Sequence, residues 1–101
     1  MAQTLIWSKE ALDDIAGIAE YINRDSPFYA DQVAHRFFEI GNTVPTHPKL
    51  GRTVPEFNDP QVRERLVYSY RLIYQHTGET IHILAVIHGS RKLDSIERFD
   101  R

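Results

Sequence analysis

The stretch VRERLVYSYRLIYQHTGETIHILAVIH, residues 62–88, carries three β-branched and aromatic runs, VRERLVY, YRLIYQH and TIHILAVIH. A tight break near Ser69 and the turn signal Thr77-Gly78-Glu79 separate them, which is the pattern of an antiparallel meander. In the last run Ile81, Ile83, Ala85 and Ile87 alternate with His82, Leu84, Val86 and His88. Both faces of that run are largely apolar, as a central strand requires.

A sheet with an apolar face needs a cover, and the residues before it supply one. Gln3 to Trp7 form a short β-prone run, after which Ser8 stands as an N-cap with Glu10 in the first turn. Ala11, Leu12, Ile15, Ile18, Ala19 and Ile22 then recur at helical spacing, with Lys9, Asp13, Asp14 and Glu20 between them. After the polar break Asn23 to Ser26, the pair Ser26-Pro27 reads as a second helix start. Ala30, Val33, Ala34, Phe37, Phe38, Ile40 and Val44 form its stripe, and Pro45 ends it. Two helices joined this closely pack as an antiparallel hairpin. PTHPKLGRTVPEFNDP, residues 45–60, holds four prolines and Gly51, so an ordered loop with at most a very short strand is expected. The tail KLDSIERFDR reads as one or two helical turns, too polar to add much core. Together these elements predict a two-layer α+β domain spanning residues 1–101, with an N-terminal strand and a helical hairpin packed on an antiparallel sheet.

The chain of 101 residues is long enough for one core. Zero cysteines exclude disulfides and thiol chemistry. No window approaches the roughly 18 apolar residues of a membrane span, and the first ten residues lack a secretory pattern, so a cytoplasmic location is expected. Net charge is −2, without the basic excess usual in nucleic-acid binders.

The arginines of the meander stand out. Arg63, Arg65 and Arg71 lie in its first two runs, and Arg91 follows the third. A guanidinium binds phosphate or carboxylate bidentately and stabilises negative charge. Arg63 and Arg65 share a strand face. If the hairpin loop is Tyr68-Ser69, Val67 pairs with Tyr70 and Arg71 falls on the opposite face. If the loop includes Tyr70, Val67 pairs with Arg71 and all three arginines line up. The competing reading is purely structural, with these as solvated strand arginines paired to Glu64 or Glu56. His82 and His88, six residues apart on one strand face, stand about 20 Å from each other and cannot share a metal. No metal site and no cofactor is therefore expected. His88, followed by Gly89 and Arg91 at a strand end, suits a general base or a binding contact.

Several motifs taken in order resemble the RelE/ParE superfamily of bacterial type II toxins over nearly the whole chain. They are Ile6-Trp7-Ser8 ahead of the helix ALDDIAGIAEYI, Pro48-Lys49-Leu50-Gly51-Arg52 with Val54-Pro55-Glu56, Val62-Arg63-Glu64, Tyr70-Arg71-Leu72-Ile73-Tyr74, and the run from Ile83 to Arg91. The resemblance implies a growth-inhibiting toxin of the kind associated with plasmid stabilisation. It would be neutralised by a cognate antitoxin, through which alone operator DNA is contacted. RelE-like members cleave messenger RNA on the ribosome, with basic residues on the sheet and a C-terminal tyrosine or histidine. ParE-like members inhibit DNA gyrase without being nucleases.

By position, Arg63, Arg65, Arg71 and Arg91 match the basic residues of the RelE-like sheet. However, Glu97 stands where the nuclease tyrosine belongs, no tyrosine follows Tyr74, and the ending His88-Gly89-Ser90-Arg91 resembles ParE-like members. The resemblance thus implies gyrase binding through Arg63, Arg65, Arg71, His88 and Arg91. The alternatives are a ribosome-dependent endoribonuclease acting through Arg71, His88 and Arg91, and a degenerate toxin that keeps only antitoxin binding.

Overall fold

The computed structural model describes residues 3–93 and 96–99. Five strands form one sheet: β1 (Thr4–Trp7), β2 (Arg52–Thr53), β3 (Val62–Val67), β4 (Tyr70–Thr77) and β5 (Thr80–His88), in the order β1-β5-β4-β3-β2. The meander β3-β4-β5 is antiparallel as its sequence predicts. The N-terminal strand joins parallel to β5, which makes the whole sheet mixed. Helices α1 (Lys9–Asn23) and α2 (Pro27–Thr43) pack on each other and on one face of the sheet.

Both helices begin where their caps are. The Ser8 side chain accepts from the Ala11 N–H at 3.0 Å, and Ser26 accepts from Tyr29 at 3.2 Å with Pro27 in the first turn. Ala11, Ile15, Val33, Phe37 and Ile40 enter a core with Leu72, Tyr74, Ile81, Ile83 and Val86. Leu12, expected on the buried stripe, lies at the exposed margin. Trp7 crosses to α2, where its Nε1 donates to Asn42 at 3.2 Å and its ring lies against Gly41. A Cβ at Gly41 would stand 2.3 Å from that ring, so only glycine permits the approach.

The second face of the sheet is also covered. Val54 and Phe57 from the proline-rich loop, together with Leu93, Ile96 and Phe99, pack on Val62, Ile73, Ala85 and Ile87. This corrects the expectation for the tail. Leu93, Ile96 and Phe99 recur at three-residue spacing and close a second core, although their neighbours are polar. The segment includes a 3₁₀ turn at Glu97–Phe99; Asp94, Ser95, Asp100 and Arg101 lie outside the described residues.

A bulge in β5 corrects a second expectation. Tyr74 pairs with Ile83 while Ile73 pairs with Ala85, so Leu84 is an extra residue and side-chain direction flips there. Ile81 and Ile83 face the helices, whereas Ala85 and Ile87 face the second core. His82, opposite Gln75, and His88, opposite Tyr70, therefore lie on opposite faces. The Leu84 carbonyl freed by the bulge accepts from Ser8 Oγ at 3.3 Å and Arg98 Nη1 at 3.2 Å. Beyond the end of β1, Asp14 takes the Val86 N–H at 2.9 Å.

Candidate functional site

The open question about the first hairpin is answered by its register. Val67 pairs with Tyr70 and Leu66 with Arg71, so the loop is Tyr68-Ser69 and Arg71 lies on the face away from Arg63 and Arg65. There Arg71 is buried, its side chain 6% exposed, between two carboxylates. Its Nε donates to Glu64 at 2.6 Å, and Nη1 and Nη2 each donate to Glu56 at 2.7 Å. Nη1 also reaches the Arg91 carbonyl at 3.1 Å. Glu64, with a fully buried side chain, uses its other oxygen for Arg52 at 2.5 Å. Glu56 accepts in addition from the Leu93 N–H at 3.2 Å.

This chain of ions ties β2, β3, β4, the proline-rich loop and the C-terminal segment together, and it leaves the Arg71 fork no edge for an outside anion. Arg71 therefore does not join the exposed arginines. The structural reading that paired it with Glu64 or Glu56 named its partners, but Arg71 is buried and not solvated.

The Arg71 guanidinium holds the Glu56 carboxyl at about 2, against the opposing effect of burial and with help from the Leu93 N–H. Arg71 is pushed up in turn, chiefly by Glu56. A carboxyl depressed on folding stabilises the fold fully above its unfolded value near 4.5, and that stability is lost as pH falls toward 2. Because Glu56 reaches solvent at one edge, screening leaves roughly 1–2 kcal/mol of this effect. Urea melts between pH 5 and pH 2 should show stability falling with acid, with a shallower slope in Glu56→Gln. An unchanged slope in that variant would contradict the assignment.

On the helix face, Arg63 donates to the Gly51 carbonyl at 2.9 Å and so holds the loop. Arg65, half-buried beside it, makes no ion pair among the described residues. Tyr74, fully buried, donates to the Pro48 carbonyl at 2.6 Å and accepts from the Gly51 N–H at 3.2 Å. Burial pushes its hydroxyl pKa up.

His88 is exposed at the end of β5, edge-on to Tyr70 with ring centroids 5.6 Å apart. The Ser90 backbone N–H donates to Nδ1 at 3.2 Å, and Ser90 Oγ lies 2.8 Å from the same nitrogen. Since an N–H can only donate, the neutral ring carries its proton on Nε2 and presents it outward. Arg91 follows with an exposed side chain, its N–H donating to the His88 carbonyl at 3.0 Å.

Gly89 lies between them for close approach and not for a left-handed backbone. Its N–H donates to the Ser69 carbonyl at 2.7 Å, and a Cβ would stand 3.0 Å from that oxygen. His88 and Arg91 border an open groove of about 400 Å³ that runs past Tyr70 and Val86 to Asp13, Asp14, Ile18 and Tyr21 of α1. Among the described residues, no three His, Asp or Glu side chains are placed to hold a metal ion, and no helix is long and apolar enough to cross a membrane.

Of the five arginine and histidine candidates, Arg91 and His88 thus share one rim with the hairpin tip. Arg65 stands free on the helix face, while Arg63 and Arg71 hold the structure. Sequence reasoning read Ser8 only as a helix cap and did not single out Asp14 and Arg98, which with it secure the bulge, nor Tyr68. For Tyr68 the signal was an aromatic residue in a two-residue hairpin loop.

Known proteins share this fold. The family described as ParE toxin of type II toxin–antitoxin system, parDE, matches residues 5–93. Toxin RelE2 of Caulobacter vibrioides is 29% identical over 92 residues, covering 90% of this chain and 99% of that protein. The solved chromosomal ParDE toxin–antitoxin system of P. aeruginosa superposes with a TM-score of 0.72 at 20% identity, covering 86% of this chain and 96% of that one. A double mutant of E. coli toxin RelE in the free state gives a TM-score of 0.62 at 18% identity, covering 89% of this chain and 86% of that one. With its helical hairpin, mixed five-stranded sheet and nearly full-length family match, the chain belongs to the ParE toxin family of type II toxin–antitoxin systems, within the RelE/ParE superfamily.

Proposed function

We propose that this toxin arrests growth by binding DNA gyrase in the cytoplasm and is neutralised by a cognate antitoxin, the kind of pair that the ParDE system of P. aeruginosa represents. The observation that carries the reading is that Arg71, one of the three residues a nuclease would need, is set apart from His88. Arg71 is on the sheet face opposite His88, and its guanidinium is engaged by Glu56 and Glu64. A phosphorane-like transition state needs its cations and its acid or base converging within hydrogen-bond reach. His88 and Arg91 remain together with an outward donor and an exposed cation, which is enough for docking on a protein. Arg65, half-buried on the helix face, supplies a further charge, and Arg63 and Arg71 act by positioning.

The test is a gyrase supercoiling assay with purified toxin, run beside a translation extract in which messenger cleavage is read by primer extension. Blocked supercoiling with intact messenger is expected. Arg91→Ala should weaken inhibition about tenfold while leaving the melting temperature unchanged, as loss of a rim cation does. Codon-phased cuts with unaffected gyrase would replace this reading by the ribosome-dependent endoribonuclease. Antitoxin binding without either effect would indicate a degenerate toxin.

A further inference from the structure

We propose that Tyr68, at the tip of the β3–β4 hairpin, is the aromatic anchor by which the chain seats on an acidic, concave surface of its protein target. The proposal deepens the reading above and rests on the toxin acting by binding a protein.

Tyr68 has φ 55°, the only positive value at a non-glycine residue among those described. A two-residue hairpin loop with a positive φ at its first position calls for glycine, because any Cβ is crowded there. The chain meets that demand in its other hairpin, where Gly78 takes φ 60° at the equivalent place between β4 and β5. At Tyr68 the relaxed residue is not used, and packing does not explain the choice. The side chain is 59% exposed and joins neither core. Strain retained at an exposed aromatic that joins neither core is the mark of a residue held for an external contact.

The surroundings indicate what that contact is. Leu66, two residues earlier, is 61% exposed on the Arg71 side of the sheet, so the hairpin end carries an exposed aliphatic residue as well as the aromatic one. The Gly89–Ser69 hydrogen bond fixes the tip against the end of β5, which brings His88 and Arg91 beside it. Tyrosine and arginine are enriched among protein–protein anchors, where an aromatic ring fills a desolvated pocket. The cation Arg91 and the His88 donor suit carboxylates around that pocket.

The decisive variants are Tyr68→Gly and Tyr68→Phe, each measured for melting temperature, growth arrest on induction and inhibition of purified gyrase. In Tyr68→Gly, release of the strained backbone offsets the entropy of glycine, so its melting temperature should equal or exceed wild type. Its potency should fall about thirtyfold, as loss of an anchor predicts, while Tyr68→Phe stays within about threefold. Tyr68→Gly with wild-type potency would overturn the anchor and leave gyrase inhibition standing. A melting temperature lowered by more than about 5 °C in Tyr68→Gly would also overturn it, because the residue would then be structural. Wild-type toxin that leaves gyrase untouched and cuts messenger would overturn both readings. In that case a loss of cutting by Tyr68→Gly would assign the ring to base stacking.

Discussion

Replacing Arg71 with methionine should lower stability by about 3–5 kcal/mol, the cost of leaving buried charge without its partner. For a chain of this length that is a drop in melting temperature of roughly 15–30 °C. Glu64 has no exposed side-chain surface and would retain only the edge-lying Arg52, whose side chain is 61% exposed. Glu56 would lose both of its guanidinium contacts and keep the Leu93 N–H. Lysine in place of Arg71 should recover little, since one ammonium cannot present the fork that reaches two carboxylates and the Arg91 carbonyl.

The companion variant is the triple change Arg71→Met, Glu56→Gln, Glu64→Met. Neutralising the whole network removes the desolvation cost along with the attraction, so most of the lost stability should return. Calorimetry at neutral pH distinguishes the cases. A single Arg71→Met variant that melts within about 4 °C of wild type would mean that the network does not hold the C-terminal segment on the sheet.

Arg71 also marks the limit of what could be read in the sequence. The helices were legible because a cap, a proline and a stripe agree at each start: Ser8, Ser26-Pro27, and apolar residues at helical spacing. The meander was legible from its period. The hairpin register was not, because a two-residue loop requires a positive φ at Tyr68, which turn chemistry disfavours, and the three-residue loop was equally open.

The bulge at Leu84 was hidden for a different reason. In a strand apolar on both faces the alternation carries no phase, so an inserted residue leaves no trace in the pattern, although it moves His88 to the other face from His82. The parallel pairing of β1 is set by the crossover of α1, α2 and the meander, which a four-residue strand cannot record. For the tail, average polarity masked three apolar residues at positions 93, 96 and 99 whose spacing alone was informative. The sequence therefore offers a list of candidate residues and not their geometry. Which arginines are free depends on a register that differs by one residue.

The second large effect is expected at Gly51, where the proline-rich loop meets the sheet. A Cβ there would lie 2.6 Å from the Tyr74 hydroxyl oxygen and 2.7 Å from the Glu64 backbone oxygen. Neither can yield easily. The Tyr74 ring is fully buried and its hydroxyl is held by Pro48 and by Gly51 itself, while the Glu64 oxygen belongs to a strand backbone. Gly51→Ala should therefore push the loop outward, weakening the β2–β3 pairing, the Arg63 contact to the Gly51 carbonyl and the Arg52–Glu64 ion pair at once. A cost of about 2–4 kcal/mol follows from combined overpacking and unpaired polar groups.

Tyr74→Phe alone should cost about 1–3 kcal/mol, by leaving the Pro48 carbonyl and the Gly51 N–H without their partner. The two changes share an atom, so they should not add. Removing the hydroxyl relieves one of the two clashes that alanine creates, and the double variant should be more stable than the sum predicts by about 1 kcal/mol. Denaturant melts of the four proteins close that cycle. Strict additivity would mean that the Glu64 backbone contact alone excludes a side chain at position 51, and that the tyrosine is a bystander to the glycine it touches.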